Sequence, residues 1–533
     1  MWDFIPARRT FLKSVGGAAT FALLPAPLLL SGCQQGTAKT NAEESGLDEG
    51  PFDVELTLLA RPDVTPILPG AASEVWRYTA RLIRGPDDTL THSDDSYVGP
   101  LIRLRRGQRV RVHIENQLPE ATTVHWHGLH VPPEVDGQPR FPIQSGVTKT
   151  VGFLVDDRAG LYWYHPHPHG DDGGRVGFQS YAGLAGPLII EDNHERELDL
   201  PKGNQELVMV LQDRNFAGEN ELTYLSDGMG SMMTRMQGFK GDHLLVNGKP
   251  AAVRKVSATA YRLRILNGSN ARIYKLAWSD GRPVTVIATG GGLLEAPEEH
   301  PYVTLAPAQR VDLWVSFEDD PKGAEIQLIN EPHRAGEMMG DGMMMGGMMM
   351  GGMMGSSDNT SGKPTPLLTL AVNGAAEKAV RPLPGRLSSD LDSLHRPDDT
   401  TKIRPFRLSM KMMRGFAIND RQFEGATVAD DEVVSLGATE IWEFFNDTMM
   451  PHPMHVHGLQ FMVVSRRNVN DRSARQLKAG IIDSGLHDTV LVLPGERVRI
   501  ALTFKDFKGL YLYHCHNMEH EDNGMMRYYE VRK

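Results

Sequence analysis

From Phe52 onward the chain alternates apolar and polar residues in short runs closed by Gly, Pro, Asn and Asp. Val110, Val112 and Ile114 alternate with Arg111 and His113, Leu263 and Ile265 with Arg262 and Arg264, and Val498, Ile500 and Leu502 with Arg499 and Ala501. A period of two puts successive side chains on opposite faces, so these runs predict half-buried strands of antiparallel sandwiches. Three runs keep the same company. Gly107-Gln108-Arg109-Val110-Arg111-Val112, Ala308-Gln309-Arg310-Val311-Asp312-Leu313 and Gly495-Glu496-Arg497-Val498-Arg499-Ile500 read as one element repeated. The repeat predicts an all-β fold of three Greek-key β-sandwich domains, at 52–193, 205–375 and 403–533. A Pro-, Ser- and Asp-rich linker, 376–402, separates the last two.

Length supports this division, since 533 residues are too many for one core and suit about three. A formal charge of −11 argues against a nucleic-acid partner. The first residues read as an address. Arg8-Arg9-Thr10-Phe11-Leu12-Lys13 is a twin-arginine signature, followed by an apolar run to Leu30 that Gly16, Gly17, Pro25 and Pro27 make a poor membrane anchor. Leu30-Ser31-Gly32-Cys33 resembles a lipobox, so residues 1–33 predict a cleaved leader and Cys33 a lipidated attachment to a membrane surface outside the cytoplasm; an incidental cysteine in the leader is the alternative. Residues 34–51 then read as a flexible tether. With Cys33 and Cys515 so assigned, no disulfide remains.

Chemistry concentrates in Gly509-Leu510-Tyr511-Leu512-Tyr513-His514-Cys515-His516, continued by His520 and Met525. On a strand Cys515 points one way while His514 and His516 both point the other, so one hexapeptide can serve two copper sites. A thiolate, two imidazoles and a thioether are the ligands of a blue-copper electron-transfer centre. The stretch has a partner in Gly160-Leu161-Tyr162-Trp163-Tyr164-His165-Pro166-His167, with proline in place of cysteine, and His125-Trp126-His127-Gly128 answers His455-Val456-His457-Gly458. Two His-x-His pairs from each terminal domain thus supply eight imidazoles that can meet across an interface and hold a metal cluster. The middle domain has neither motif and is expected to be a spacer. His130 and His169 lie beside the motifs and are left without a ligand role.

HWHG at 125–128, HPH at 165–167, HPMHVHG at 452–458 and HCHNMEHEDNGM at 514–525 together resemble the three-domain multicopper oxidases, the laccase-like and cuprous-oxidase group of bacteria. The resemblance runs from about Phe52 to the end. It implies cupredoxin-like domains and four copper ions: a type 1 copper on His452, Cys515, His520 and axial Met525; a type 2 copper on His125 and His455; and a type 3 pair on His127, His165, His167, His457, His514 and His516. It further implies one-electron oxidation of a substrate at the type 1 site and four-electron reduction of dioxygen to water at the other three. Asp136 and Glu521 match acidic positions that the family uses near the cluster and are assigned to proton delivery and ligand orientation; plain surface carboxylates are the alternative.

Met338 to Met354 is a Gly-rich segment with ten methionines: Met338, Met339, Met343, Met344, Met345, Met348, Met349, Met350, Met353 and Met354. Thioethers suit Cu(I), and the segment is expected to recruit Cu(I) and cover part of the type 1 site. Smaller groups, Met229, Met232, Met233 and Met236 with Met410, Met412 and Met413, are equally explained by packing. Cuprous-oxidase members often carry Asp four residues before the first type 1 histidine, where this chain has Thr448 after Asp447. The expected protein is an exported, lipid-anchored monomeric oxidase of Cu(I) acting in copper tolerance; the rivals are a laccase acting on phenols or aromatic amines, and a periplasmic copper-sequestering binding protein.

Overall fold

The alternation seen in the sequence is realised as burial. In the strand Arg109–Asn116, Val110, Val112 and Ile114 are buried and the residues between them half exposed. The chain is described here from a computed structural model over residues 43–46, 50–93, 95–170, 173–225, 229–333, 362–374, 382–393, 397–398, 401–411, 415–467 and 474–533. The leader with Cys33, most of the tether and the methionine-rich segment 338–354 lie outside the described residues.

Two sheets face each other in each of three sandwiches, and each sandwich encloses its own apolar core. The first sandwich pairs a sheet containing Val54–Thr65, Arg109–Asn116 and Thr148–Leu154 with one ordered Leu90–Thr91, Leu101–Arg105, Gly186–Glu191, Gly160–His165, His125–His127. In the third, Ile403–Lys411, Thr439–Asn446 and Arg497–Thr503 lie opposite the sheet ordered Val433–Ser435, Met526–Arg532, Gly509–Cys515, His452–Val456, Thr489–Val492. Every copper motif read from the sequence therefore begins in a strand of the second sheet of a terminal sandwich.

The repeat exists, but its first member is displaced by one strand. Arg109–Asn116 runs parallel to the opening strand of its domain, and the strands that do so in the other domains are Ala260–Asn267 and Thr439–Asn446. Arg310–Ser316 and Arg497–Thr503 lie one position further out, antiparallel to those, as Thr148–Leu154 does in the first domain. The register is fixed by an asparagine at the end of each inner strand. Asn116, Asn267 and Asn446 exchange backbone hydrogen bonds with the turns at Gly146, Ala308 and Gly495, and each Nδ2 donates to two carbonyls of the neighbouring loops. A glycine-containing turn followed by alternating residues describes either strand, so the local pattern could not choose between them.

Two other expectations change. Glu43–Gly46, within the span read as tether, forms an edge strand parallel to Lys149–Gly152, because an open sheet edge can be satisfied by backbone alone. Part of the linker is strapped down. Leu387 is buried against Leu200 and Leu293, its N–H donates to Glu295 O, and Arg158 of the first domain binds Asp390.

Asn267→Ala tests the asparagine anchor in the middle domain, which carries none of the histidine motifs. It strands two buried carbonyls and the Ser269 N–H, and should lower unfolding stability by about 2–4 kcal/mol, read by thermal or denaturant unfolding.

Candidate metal centre

Strand pairing brings the motifs together. His125 lies opposite His165 in one ladder, and His455 opposite His514, with Met454 opposite Cys515, in the other. The glycine that ends each HxHG motif is a turn requirement: Gly128 and Gly458 have φ of +90° and +75°. A Cβ on Gly128 would lie 2.7 Å from Asp488 Oδ2, and one on Gly458 2.5 Å from the Tyr511 ring.

The two sheets then present eight buried imidazoles to one another across the interface of the first and third sandwiches. His125 and His455 face each other with Nε2 atoms 3.4 Å apart. Nε2 of His514 lies 3.2 Å from that of His167 and 3.0 Å from that of His457, so three rings converge on one point. His127 Nδ1 is 3.3 Å from His165 Nε2, and the ring of His516 stands 5.0 and 5.1 Å from those two rings, with neither of its nitrogens hydrogen-bonded among the described residues. Nitrogen lone pairs that converge with no donor between them repel, and a buried imidazole with both nitrogens unpaired is costly. A shared cation removes both penalties, so the residues fit metal ions.

On the other side of the same strand, Cys515 Sγ lies 3.4 Å from His452 Nδ1 and 3.6 Å from His520 Nδ1, and those two nitrogens are 3.2 Å apart. Met525 is buried in the same core cluster, and its backbone is tied to Cys515 and His520. His520 is carried by the short helix Met518–Asp522, capped by Asn517. The outer nitrogens are engaged: Nε2 of His452 meets Thr448 Oγ1 at 2.8 Å, and Nε2 of His520 meets the carbonyl of Met236 at 2.9 Å. That carbonyl belongs to the helix Met229–Gln237 of the middle domain, which lies against the helix bearing His520. Phe416 packs its ring 4.0 Å from that of His520.

Burial and neighbouring imidazoles hold His127, His165, His452, His455 and His457 well below the usual histidine range. Burial likewise lowers His167, His516 and His520 to about 3. All eight are therefore neutral at pH 7, the form that ligates a metal. Burial pushes the Cys515 thiol up, so the proton leaves only in exchange for a metal cation.

Both predicted acids are buried at the cluster and neither is a surface carboxylate. Asp136 accepts from His457 Nδ1 at 2.8 Å, and its backbone carbonyl accepts from His125 Nδ1 at 2.7 Å. Glu521 lies 3.1 Å from both His167 Nε2 and His514 Nδ1. Burial raises its carboxyl, but electrostatic interaction with the adjoining imidazole rings of His514 and His167, with a hydrogen bond from His514, outweighs that and lowers it to about 2. Asp447 points away, paired with Arg407 at the surface, and Thr448 takes the place beside His452. His130, left without a role, ties the first domain to the third through Gly458 O and Asp506.

Asp488 and Arg310 were missed. Asp488 Oδ1 accepts from His127 Nε2 at 3.0 Å and its carbonyl from His455 Nδ1 at 2.8 Å, while Arg310 of the middle domain grips both carboxylate oxygens. The middle domain is thus more than a spacer. Its signal in sequence was the Arg of the repeat itself, which nothing local distinguishes from the solvent-facing Arg109 and Arg497.

Comparison with known proteins fits this geometry. Multicopper oxidase family profiles match residues 75–195 and 397–533. The multicopper oxidase mco of Staphylococcus haemolyticus (strain JCSC1435) is 30% identical over 80% of this chain and 81% of its own. A laccase of Bacillus stratosphericus is 28% identical over 83% of this chain and 90% of its own. Among solved structures, the McoA multicopper oxidase from the hyperthermophile Aquifex aeolicus superposes with a TM-score of 0.73 at 32% identity, covering 92% of this chain and all of that one. Shared sequence over four-fifths of the length and a shared cupredoxin-type all-β architecture place the chain in the multicopper oxidase family.

Proposed function

We propose that this oxidase takes electrons singly at His452, Cys515, His520 and Met525 (type 1), and passes them to a three-copper cluster on His125 and His455 (type 2) and on His127, His165, His516, His167, His457 and His514 (type 3). The carrying observation is that Cys515 and its flanking histidines point to opposite sides of one strand, each into a converging ligand set. Four copper ions, each changing by one electron, supply the four electrons that reduction of one dioxygen to two waters consumes. His514 and His516 give the electron a covalent path from the thiolate, shortened where His514 Nδ1 meets Cys515 O at 3.2 Å. Four protons are taken up per dioxygen. Asp136 and Glu521, buried against the cluster imidazoles, are positioned to deliver them.

Cu(I) is the reading favoured for the reducing substrate. His520 is buried, and the edge through which an aromatic substrate would hand over its electrons is covered by Met236 and its helix. Near that cover, Met233 is 43% exposed and Met449, three residues from His452, 60% exposed, so soft thioethers reach solvent where the approach to His520 is closed. The ten methionines of 338–354 would add weak, exchangeable sites. Export by the twin-arginine leader and a lipid on Cys33 would put this activity at a membrane surface outside the cytoplasm, the place for copper tolerance. A laccase acting on phenols is the second reading, supported by the B. stratosphericus relative.

Cys515→Ser in the copper-loaded protein should abolish the blue thiolate absorption while the cluster coppers remain, as counted by elemental analysis; a blue variant ends the assignment. Asp136→Asn should slow reoxidation by dioxygen roughly 10–100-fold and leave reduction of the Cys515 site by substrate nearly unchanged, because only the first half-reaction consumes protons. Equal slowing of both, in stopped-flow, would make Asp136 purely structural. Deleting 337–356 should lower Cu(I) oxidation and raise phenol oxidation; an unchanged ratio in a folded, fully loaded protein would favour the laccase reading.

A further inference from the structure

Arg310 is a buried cation in the one domain that supplies no imidazole, and all five of its N–H donors are used. Nε donates to Leu161 O of the first domain at 2.9 Å; Nη1 to Ala308 O at 3.0 Å and Asp488 Oδ1 at 2.8 Å; Nη2 to Gly290 O at 2.9 Å and Asp488 Oδ2 at 2.5 Å. One planar guanidinium therefore joins a strand of the first sandwich, two turns of the second and a carboxylate of the third. Room is made for it by glycine: a Cβ on Gly128 would lie 2.8 Å from Arg310 Nη2, and one on Gly290 3.1 Å from its Cζ.

What Arg310 holds is in turn what holds two cluster imidazoles. Asp488 Oδ1, also steadied by Thr489 Oγ1 at 2.9 Å, accepts from His127 Nε2, and the Asp488 carbonyl accepts from His455 Nδ1. Giving the proton to Nε2 of His127 leaves the lone pair on Nδ1, the atom facing His165. Giving it to Nδ1 of His455 leaves the lone pair on Nε2, the atom facing His125. The two rings stack 3.8 Å apart, so turning one disturbs the other.

We propose that Arg310 is a positioning residue for the cluster. Acting through Asp488, it fixes the tautomer and orientation of His127 and His455, so that copper affinity at the type 2 position and its type 3 neighbour is set from the middle domain. A buried ion pair adds little net stability compared with apolar residues of the same shape, whereas a buried carboxylate left without its cation is drawn towards water. Without Arg310 the Asp488 side chain would move, and both imidazoles would lose their aim. Lysine is a poor substitute, since three donors on one nitrogen cannot reach five acceptors spread around a plane.

The proposal rests on the three-copper reading, and the experiment separates the two. Unsubstituted holoprotein, Arg310→Lys, Arg310→Met and Asp488→Asn are compared by copper content, visible thiolate absorption, the type 2 EPR signal and resistance to a chelator. A holoprotein that shows no type 2 signal before any substitution overturns the three-copper reading and this proposal with it. With that signal present, Arg310→Met should keep the thiolate band at full strength, lose copper affinity at the type 2 position ~10–100-fold and shift the EPR hyperfine pattern. Arg310→Lys should recover part of the affinity. Arg310→Met with unchanged EPR and chelator resistance and only a lower melting temperature would reduce Arg310 to a clamp between domains and overturn the proposal. Should that variant not fold, the isosteric Asp488→Asn decides: an altered type 2 signal supports the proposal and an unaltered one overturns it.

Discussion

A buried imidazole can be aimed at a metal only if its other nitrogen is given a partner, and the interface of the first and third sandwiches is built around that requirement. His125 and His455 give Nδ1 to the backbone carbonyls of Asp136 and Asp488, His457 gives Nδ1 to the Asp136 carboxylate, and His127 gives Nε2 to the Asp488 carboxylate. Asp136 comes from the first domain and serves a ring of the third; Asp488 comes from the third and serves a ring of the first. Neither half of the cluster is complete alone. Correct docking of the two sandwiches and correct orientation of the ligands are therefore the same event.

The short helix Met518–Asp522 applies the same economy to three domains. Successive helical residues point about 100° apart, so four consecutive side chains reach four different places. Glu519 accepts from Asn270 Nδ2 and Phe239 N–H in the middle domain, His520 faces Cys515, Glu521 faces His167 and His514, and Asp522 accepts the N–H groups of Val176 and Gly177 in the first domain. Among the described residues neither Glu519 nor Asp522 has a cationic partner, and burial raises the pKa of both. A segment that carries one ligand is thereby pinned on every side. This explains why His520 and Met525 are spaced by a turn of helix and a glycine turn at Gly524, whose φ is +95°.

How much of this was legible depended on the range of each interaction. The His-x-His pairs, Cys515 and the alternation of the strands are local patterns, and period-two geometry carries them directly into space. Asp136 and Glu521 were legible only through resemblance, because a carboxylate in a loop looks the same whether it meets water or an imidazole. Arg310 and Asp488 were not legible: they are 178 positions apart, and the repeat that contains Arg310 resembles two others whose arginines face solvent. The strand register of the first repeat failed for a related reason, since the asparagine anchors that set it act through loop carbonyls elsewhere in the chain. The helix over His520 was hidden because methionines at 229, 232, 233 and 236 are equally explained by packing.

The middle domain contributes no imidazole to either ligand set, yet it touches both of them. At one the carbonyl of Met236 receives His520 Nε2; at the other Arg310 secures the carboxylate behind His127. Between them runs the strand Gly509–Cys515, with Cys515 on one face and His514 on the other. Adjacent residues on a strand cannot share a face, so the Cys515 ligand set and the imidazole cluster are kept apart by the thickness of one backbone. Separation of the two ligand sets is thus a consequence of strand geometry, and the middle domain's part is to hold each side in register.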